Sequence, residues 1–305
     1  MSDTLRYGQT GRVIGYVRRR LLAATLEPFS HGAPPLEHTL DHPGDPGLIG
    51  PGSVSWEVIA DATAMLGGVR ALLVQTAHPE VVAGVEDHSR YRDDPLGRLT
   101  RTSRYVTETT YGSRPEVDAA IAFVRRAHRP VHGTSGRGLA YDADDGDLAA
   151  WVHNVLTDSF LAAFQAYGPR RLSPAEADRF VDEQARIGEL LGADPLPRSA
   201  GELRDWVLGH PALAPSAAQA EAVGFLRKPP LARTTRAGYA LLYQGAVATI
   251  PQRLRELIGV RPGPGADANG AAIAKTLRWA LGPSPVWKLA LERSGAAVPA
   301  GLFTR

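Results

Sequence analysis

The 305-residue chain contains no cysteine, and this absence excludes several kinds of site at once. Disulfides, catalytic thiolates, iron–sulfur clusters, cysteine-ligated zinc and a thiolate haem ligand all require that side chain. The N-terminus has arginines before a short Leu-Leu-Ala-Ala run but lacks the longer apolar segment of a signal peptide. We therefore expect a cytoplasmic protein.

Long hydrophobic runs are also absent. No stretch approaches the roughly 20 apolar residues of a membrane-spanning helix, so no transmembrane segment is expected. The motifs HExxH and GxSxG, a P-loop and a Rossmann glycine motif after a strand are all missing. The usual metalloprotease, hydrolase, kinase and dehydrogenase functions thereby lose their main support.

Charge of one sign is not in excess. The net charge is +2, with a pI near 9.0, and the basic residues form short, scattered runs. A nucleic-acid-binding surface would need a continuous basic face with interleaved aromatic residues. The sequence shows no such face, and no nucleic-acid partner is expected.

Hydrophobic residues make up 44% of the chain and charged residues 22%, which is ordinary globular composition, and helix signals predict an all-α fold. Asp94-Pro95 is typical of a helix N-terminus and Gly112 of its end. Pro115 opens the next helix, which Pro130 ends or kinks. Further helices are predicted at 53–65 (then broken or bent at 67–68), at 147–167 with Asp147 as its cap, and at 173–191, 201–209, 215–226, 231–258, 271–281 and 285–294.

Strand patterns are scarce. The short apolar run at residues 69–77 is compatible with a strand, although its neighbours favour helix, and residues 138–141 are compatible with a short extended piece. Residues 28–52 are rich in proline, glycine and histidine. We therefore divide the chain into an irregular N-terminal segment, residues 1–52, and a single helical domain, residues 53–305.

One histidine lies on an apolar helix face. At 100° per residue, His128 shares a stripe with Val117, Ile121, Val124 and Val131. Such an imidazole is either a core histidine bonded to a backbone carbonyl or an axial ligand that projects into an apolar slot occupied by haem. The residues alone leave both interpretations open.

The preceding helix carries a basic and hydroxyl-bearing segment, RLTRT, with Arg98, Arg101 and Thr102. Arg98 and Thr102 are four residues apart and share a face. The segment is either a solvated basic helix or a polar rim above a cofactor, where a guanidinium and a hydroxyl bind an oxygen species or a carboxylate.

Four motifs occur together in a fixed order: LLVQTAHPEVVAGVEDHS at 72–89, DPLGRLTRT at 94–102, VRRAHRPVHG at 124–133 and WVHNVLTDSF at 151–160. Together they resemble the MpaB / rubber-oxygenase (latex-clearing protein) family over about residues 50–260. The resemblance implies a helical, globin-like core with additional helices around a b-type haem. It also implies oxidative cleavage of polyisoprenoid double bonds by dioxygen.

Carried onto this sequence, the resemblance makes His128 the proximal haem ligand and the metal-binding residue. The family's distal arginine corresponds to Arg98, and its basic residue followed by threonine corresponds to Arg101-Thr102. The family's distal carboxylate matches either Glu80 or Glu86, and neither is preferred. Because this chain shows no export signal, we expect dioxygen and a small apolar compound, isoprenoid or otherwise, as substrates rather than polymeric rubber.

Other histidines are weaker candidates. His78 is expected to cap a helix or to reach a haem propionate, and His153 to join two helices or to line the pocket. His31, His38 and His42 lie in the irregular segment without a regular spacing, and surface positions are expected for them.

Overall fold

The computed structural model describes residues 35–299, and this part of the chain is predominantly α-helical, as predicted. Within it, thirteen α-helices accompany a short 3₁₀ helix at Thr39–Asp41. The helices are α1 Val54–Ala60, α2 Thr63–Gln75, α3 Pro79–His88, α4 Pro95–Tyr111, α5 Arg114–His128, α6 Gly146–Tyr167, α7 Pro174–Leu191, α8 Ala200–Gly209, α9 Ala217–Arg227, α10 Arg233–Thr249, α11 Gln252–Leu257, α12 Ala266–Leu281 and α13 Pro285–Ser294. His31 and the other residues before position 35 lie outside the described part.

A two-stranded antiparallel hairpin joins α5 to α6. Its strands are β1, His132–Thr134, and β2, Ala140–Asp142, and Gly133 pairs with Tyr141. The second strand overlaps the short extended piece predicted at residues 138–141. The hairpin packs on α3, where the Tyr141 ring lies against Gly84.

The main hydrophobic core surrounds α2 and α6, which pack against each other more extensively than any other pair of described helices. A Cβ atom on Gly67 would lie 2.7 Å from Cδ1 of Phe160, so the two helices approach closely at this point. The helices α7, α8, α10 and α12 surround this pair. The core side chains include Leu73, Val74, Trp151, Val155, Phe164, Phe180 and Val247.

One predicted helix boundary is wrong. The first helix ends at Ala60, and α2 continues through Gly67-Gly68, where the sequence predicted a break. The interruption falls at Asp61, whose carboxylate accepts a 2.9 Å bond from the amide of Thr63 and an ion pair from Arg278 at 2.6 Å. Tertiary contacts therefore break the helix at the aspartate, and α2 continues through both glycines, of which Gly67 packs closely on Phe160.

Most other local signals are confirmed. The Asp94 carboxylate accepts from the amide of Gly97 at 2.9 Å, and α4 stops at Tyr111 before Gly112. A capping box starts α7 at Ser173, and Gly192 ends it with a left-handed φ of 76°. Asp145 rather than Asp147 caps α6, because the Asp145 side chain accepts from the first amides of that helix.

The segment predicted as one helix over 231–258 is divided. Ile250-Pro251 separates α10 from α11, since a proline cannot donate the next helical hydrogen bond. In the described part of the chain, every helix is too short or too polar to cross a membrane.

Candidate functional site

The helices α4 and α5 form a hairpin, in which α4 carries the predicted distal arginine and α5 the predicted haem ligand. Only Gly112 and Ser113 separate the helices, and they pack against each other; such a short connection makes them antiparallel. His128 lies fourteen residues beyond Arg114, and Gly97 lies fourteen residues before Tyr111. His128 therefore lies in the last turn of α5, and Arg98 lies in the first turn of α4.

The junction between α4 and α5 is fixed to α1. The indole of Trp56 donates to the carbonyl of Thr110 at 2.8 Å, and the hydroxyl of Tyr111 donates to the carbonyl of Trp56 at 2.6 Å. Both aromatic residues are buried. These contacts fix the junction of α4 and α5 against α1.

His128 is the last residue of α5 and is half-buried. Val117 and Ile121 are buried on its helix face, which confirms that part of the predicted stripe. Burial lowers the pKa of His128, although Asp144 raises it in part. Among residues 35–299, no side chain or backbone group forms a hydrogen bond with this imidazole. A neutral ring with an unused lone pair is the form that binds iron.

Arg98 lies on an aromatic surface. Its Cζ is 5.8 Å from the ring centroid of Tyr91, and that ring meets Phe225 edge to face at 5.0 Å. Burial lowers the pKa of Arg98, while Tyr91 and Glu86 raise it in part; a guanidinium nevertheless stays charged. No other described residue accepts a hydrogen bond from its side chain or forms an ion pair with it, so its donors are free for a ligand.

The two candidates for the distal carboxylate, Glu80 and Glu86, have different partners in the structure. Glu86 accepts a hydrogen bond from the hydroxyl of Tyr91 and forms an ion pair with Arg92 at 2.5 Å, so it belongs to the Arg98 surroundings. Glu80 instead binds Arg137, whose Nε donates to it at 2.7 Å. The structure therefore associates Glu86, and not Glu80, with the α4–α5 hairpin.

Arg101 and Thr102 are both exposed in the structure. The guanidinium of Arg101 is 3.5 Å from Asp94, and the hydroxyl of Thr102 donates to the carbonyl of Arg98 at 3.1 Å. These local contacts do not join them to Arg98 in a common polar rim. Tyr105, which no sequence motif singles out, follows Arg98 by two helical turns and buries a hydroxyl that has no partner among the described residues.

His78 lies in a second buried cluster with His210, and no sequence spacing links these two residues. His78 immediately precedes α3 and His210 immediately follows α8, and their ring centroids are 5.2 Å apart. The carboxylate of Asp147, in the first turn of α6, is 3.5 Å from Nε2 of His210. One ligand atom from each of the three residues lies within 4.8 Å of the others, so the cluster has the spacing of a metal site.

His153 lies between α6 and α7. Its ring packs on Gly188, where a Cβ would come within 2.9 Å of it. Burial lowers the pKa of His153 to about 4, although a hydrogen bond to the backbone of Gln184 raises it in part. His153 thus packs against α7, and its Nε2 has no hydrogen-bond partner among the described residues. Of the irregular-segment histidines, His38 is exposed as expected.

A cavity of about 330 Å³ opens elsewhere, beside a buried ion pair. Arg70 and Asp158 lie 2.7 Å apart at its wall. Four further polar side chains line it, those of Arg204, Thr249, Gln252 and Arg255, and the rest of the lining is apolar. His128 and Arg98 do not contribute to it.

Comparison with known proteins gives a match to a protein family. The family model described as "ER-bound oxygenase mpaB/B'/Rubber oxygenase, catalytic domain" matches residues 56–279, well over half of the chain. No curated protein and no solved structure gave a match. The matched range includes the α4–α5 hairpin and the His78 cluster. The chain therefore belongs to the MpaB and rubber oxygenase family of oxygenases.

Proposed function

We propose that this protein is a b-type haem-dependent oxygenase that acts with dioxygen on a small apolar substrate, of isoprenoid character. The observation that carries the proposal is the His128 imidazole, half-buried at the end of α5 and without a hydrogen-bond partner among the described residues. Membership of an oxygenase family supports the reaction class.

The donor set fits a haem iron. The chain has no thiolate to offer, and an imidazole is a common axial ligand of b-type haem. Burial lowers the pKa of His128, so the ring is neutral at physiological pH, as coordination requires. When bound there, haem would supply the iron at which dioxygen is activated.

Arg98 is the residue best suited to orient dioxygen and to stabilise negative charge that develops during the reaction. Its guanidinium lies over Tyr91, which leaves the N–H groups unused. Preorganised donors of this kind contribute most when they need no rearrangement during the reaction. The buried hydroxyl of Tyr105, on the same helix, is a further donor without a partner among the described residues.

Arg101 and Thr102 remain catalytic candidates on the family resemblance alone. For Thr102 to reach a ligand, its hydroxyl must release the carbonyl of Arg98, and Arg101 must turn away from Asp94. Cofactor-binding roles for His78 and His153 likewise remain predictions, as do the division into residues 1–52 and 53–305 and the cytoplasmic location.

The first test is haem stoichiometry. Full-length protein loaded with haemin should show a Soret band at one haem per chain. His128→Ala should lose this stoichiometric binding and keep its helical circular dichroism, because the ring forms no hydrogen bond with the described residues. The matched control is His132→Ala, an exposed residue four positions later, in β1.

Two results would contradict the assignment of His128. Retention of one haem per chain by His128→Ala would exclude it as the axial ligand. Loss of haem in His132→Ala with retention in His128→Ala would move the ligand to His132.

The alternative is a helical protein that binds haem or another ligand without turnover, or a scaffold that has lost the cofactor. Reconstituted wild-type protein without a Soret band would support the scaffold. Haem-loaded protein that consumes no oxygen in the presence of an apolar alkene would support the carrier. Oxygen consumption that depends on both haem and alkene would support the oxygenase.

A further inference from the structure

We propose that His78, Asp147 and His210 bind a divalent transition-metal ion, Zn²⁺ or Fe²⁺, at a site separate from His128. The three residues come from the start of α3, the first turn of α6 and the end of α8. Two imidazoles and one carboxylate are a donor set that both ions accept.

The two histidines are buried without adequate partners. His78 is 2% exposed and His210 4% exposed. Neither ring nitrogen of His78, nor Nε2 of His210, makes a hydrogen bond with any described residue. Buried polar atoms are rarely left unpaired because desolvation is costly. A metal ion between the rings would give these lone pairs a partner.

The surroundings of His78 are those of an oriented metal ligand. The carboxylate of Glu80 lies 3.5 Å from Nδ1 of His78, and it is fixed by Arg137 and by the hydroxyl of Ser135 at 2.8 Å. A carboxylate on that side favours the tautomer with its proton on Nδ1, which leaves the Nε2 lone pair for the metal. Glu80 also neutralises Arg137, whose positive charge would otherwise repel a cation.

His210 can coordinate at the cost of one weak contact. Its Nε2 is 3.5 Å from an oxygen of Asp147, a separation that suits two ligands of one ion about 2 Å from each. Its Nδ1 accepts a long bond, 3.3 Å, from the amide of Ala212. Coordination through Nε2 moves the ring proton to Nδ1, so this bond must open. The rings of Trp151 and Trp206 hold the imidazole from two sides, with centroids 5.0 and 4.8 Å away.

The site is closed on the histidine side and open on the other. The side chain of Asp147 is 54% exposed, so an ion could enter past it and keep water as a further ligand. Three protein ligands with an open position are characteristic of catalytic zinc centres and of iron centres with two histidines and a carboxylate.

The test is equilibrium dialysis of the full-length chain against Zn²⁺, with zinc measured by elemental analysis, because haem iron does not interfere with that measurement. Wild-type protein should bind one equivalent tightly and should unfold at a higher temperature with Zn²⁺ than without it. Anaerobic competition with Fe²⁺ then shows which of the two ions the site prefers.

The informative variants are Asp147→Asn and His210→Gln, each expected to weaken zinc binding by about 100-fold or more, since even outer-shell substitutions cost 10–100-fold. Asp144→Asn is the matched control, because it removes an exposed carboxylate three residues away that is not in the cluster. Its zinc affinity should equal that of the wild type. If His210→Gln does not fold, Asp147→Asn decides alone, because its side chain is largely in solvent.

Wild-type protein that binds no stoichiometric zinc and no Fe²⁺ would overturn the proposal. So would an Asp147→Asn variant with wild-type zinc affinity, or an equal loss of affinity in Asp144→Asn. None of these readouts involves His128 or turnover, so failure here leaves the proposed oxygenase function unaffected.

Discussion

The crossing of α10 over α12 offers a sharp test of the packing, because two glycines meet there. A Cβ atom on Gly245 would lie 2.6 Å from the Cα of Gly270 and 2.8 Å from Cδ2 of Leu66. In the opposite direction, a Cβ atom on Gly270 would lie 2.9 Å from the Cα of Gly245. The first obstacle is a backbone atom, so Gly245→Ala forces the two helices apart.

The expected magnitude follows from two opposed terms. Alanine stabilises a helix interior by up to about 1 kcal/mol relative to glycine. Overpacking a tight interior costs about 1–3 kcal/mol, and a backbone obstacle places this site near the upper end. We expect Gly245→Ala to lower the free energy of unfolding by about 2 kcal/mol. Gly238→Ala, on the same helix with no atom within 4 Å of its added Cβ, should raise it by about 0.5–1 kcal/mol.

The assay is urea denaturation of both variants and the wild type, followed by helical circular dichroism at one pH and with the same haem content. The two variants should differ by about 2–3 kcal/mol in opposite directions around the wild type. A Gly245→Ala variant as stable as Gly238→Ala would refute the close helix crossing, and with it the packing of α10 that this structure describes.

Two further predictions concern the site and the core. Arg98→Ala should keep its haem but lose turnover by about 10²-fold, the effect of removing one preorganised donor. The control variant Arg126→Ala, at an exposed position, should keep its turnover. Oxygen consumption measures the turnover of both variants, and full activity in Arg98→Ala would remove that arginine from the mechanism. The pKa of His153 is about 4 in the folded chain against its ordinary value of 6.5, so below pH 6.5 the unfolded chain binds a proton that the folded chain does not. The stability this ring contributes is thus fully present above pH 6.5 and declines by up to about 3 kcal/mol as the pH falls to about 4. Urea midpoints across this range should change less in His153→Gln, and identical pH profiles for the variant and the wild type would contradict this account.

Features set by residues close together in the chain were predictable. Asp94 and Gly112 bound α4, and Ser173 and Gly192 bound α7, because caps and stops act within one turn of the helix. The α4–α5 hairpin follows from two predicted helices and a short connection at Gly112. The apolar stripe also placed His128 on the buried face of α5.

Features that depend on distant partners were not predictable. Whether α2 breaks at Asp61 or at Gly67 depends on Arg278, more than 200 residues away, and on Phe160 in α6. The exposure of Thr102 depends on how α4 rotates against its neighbours, which residue spacing on one helix does not fix.

The sequence by itself determined a helical protein without thiolate chemistry, and it singled out His128 on an apolar helix face as a candidate ligand. Only the tertiary structure joined His78 to Asp147 and His210, because these residues stand at the ends of different helices and no spacing rule links them. It also assigned Glu86 rather than Glu80 to the surroundings of Arg98. The physical reason is that short-range hydrogen bonds and periodicity set each helix, whereas the packing of its buried face sets which side chains meet.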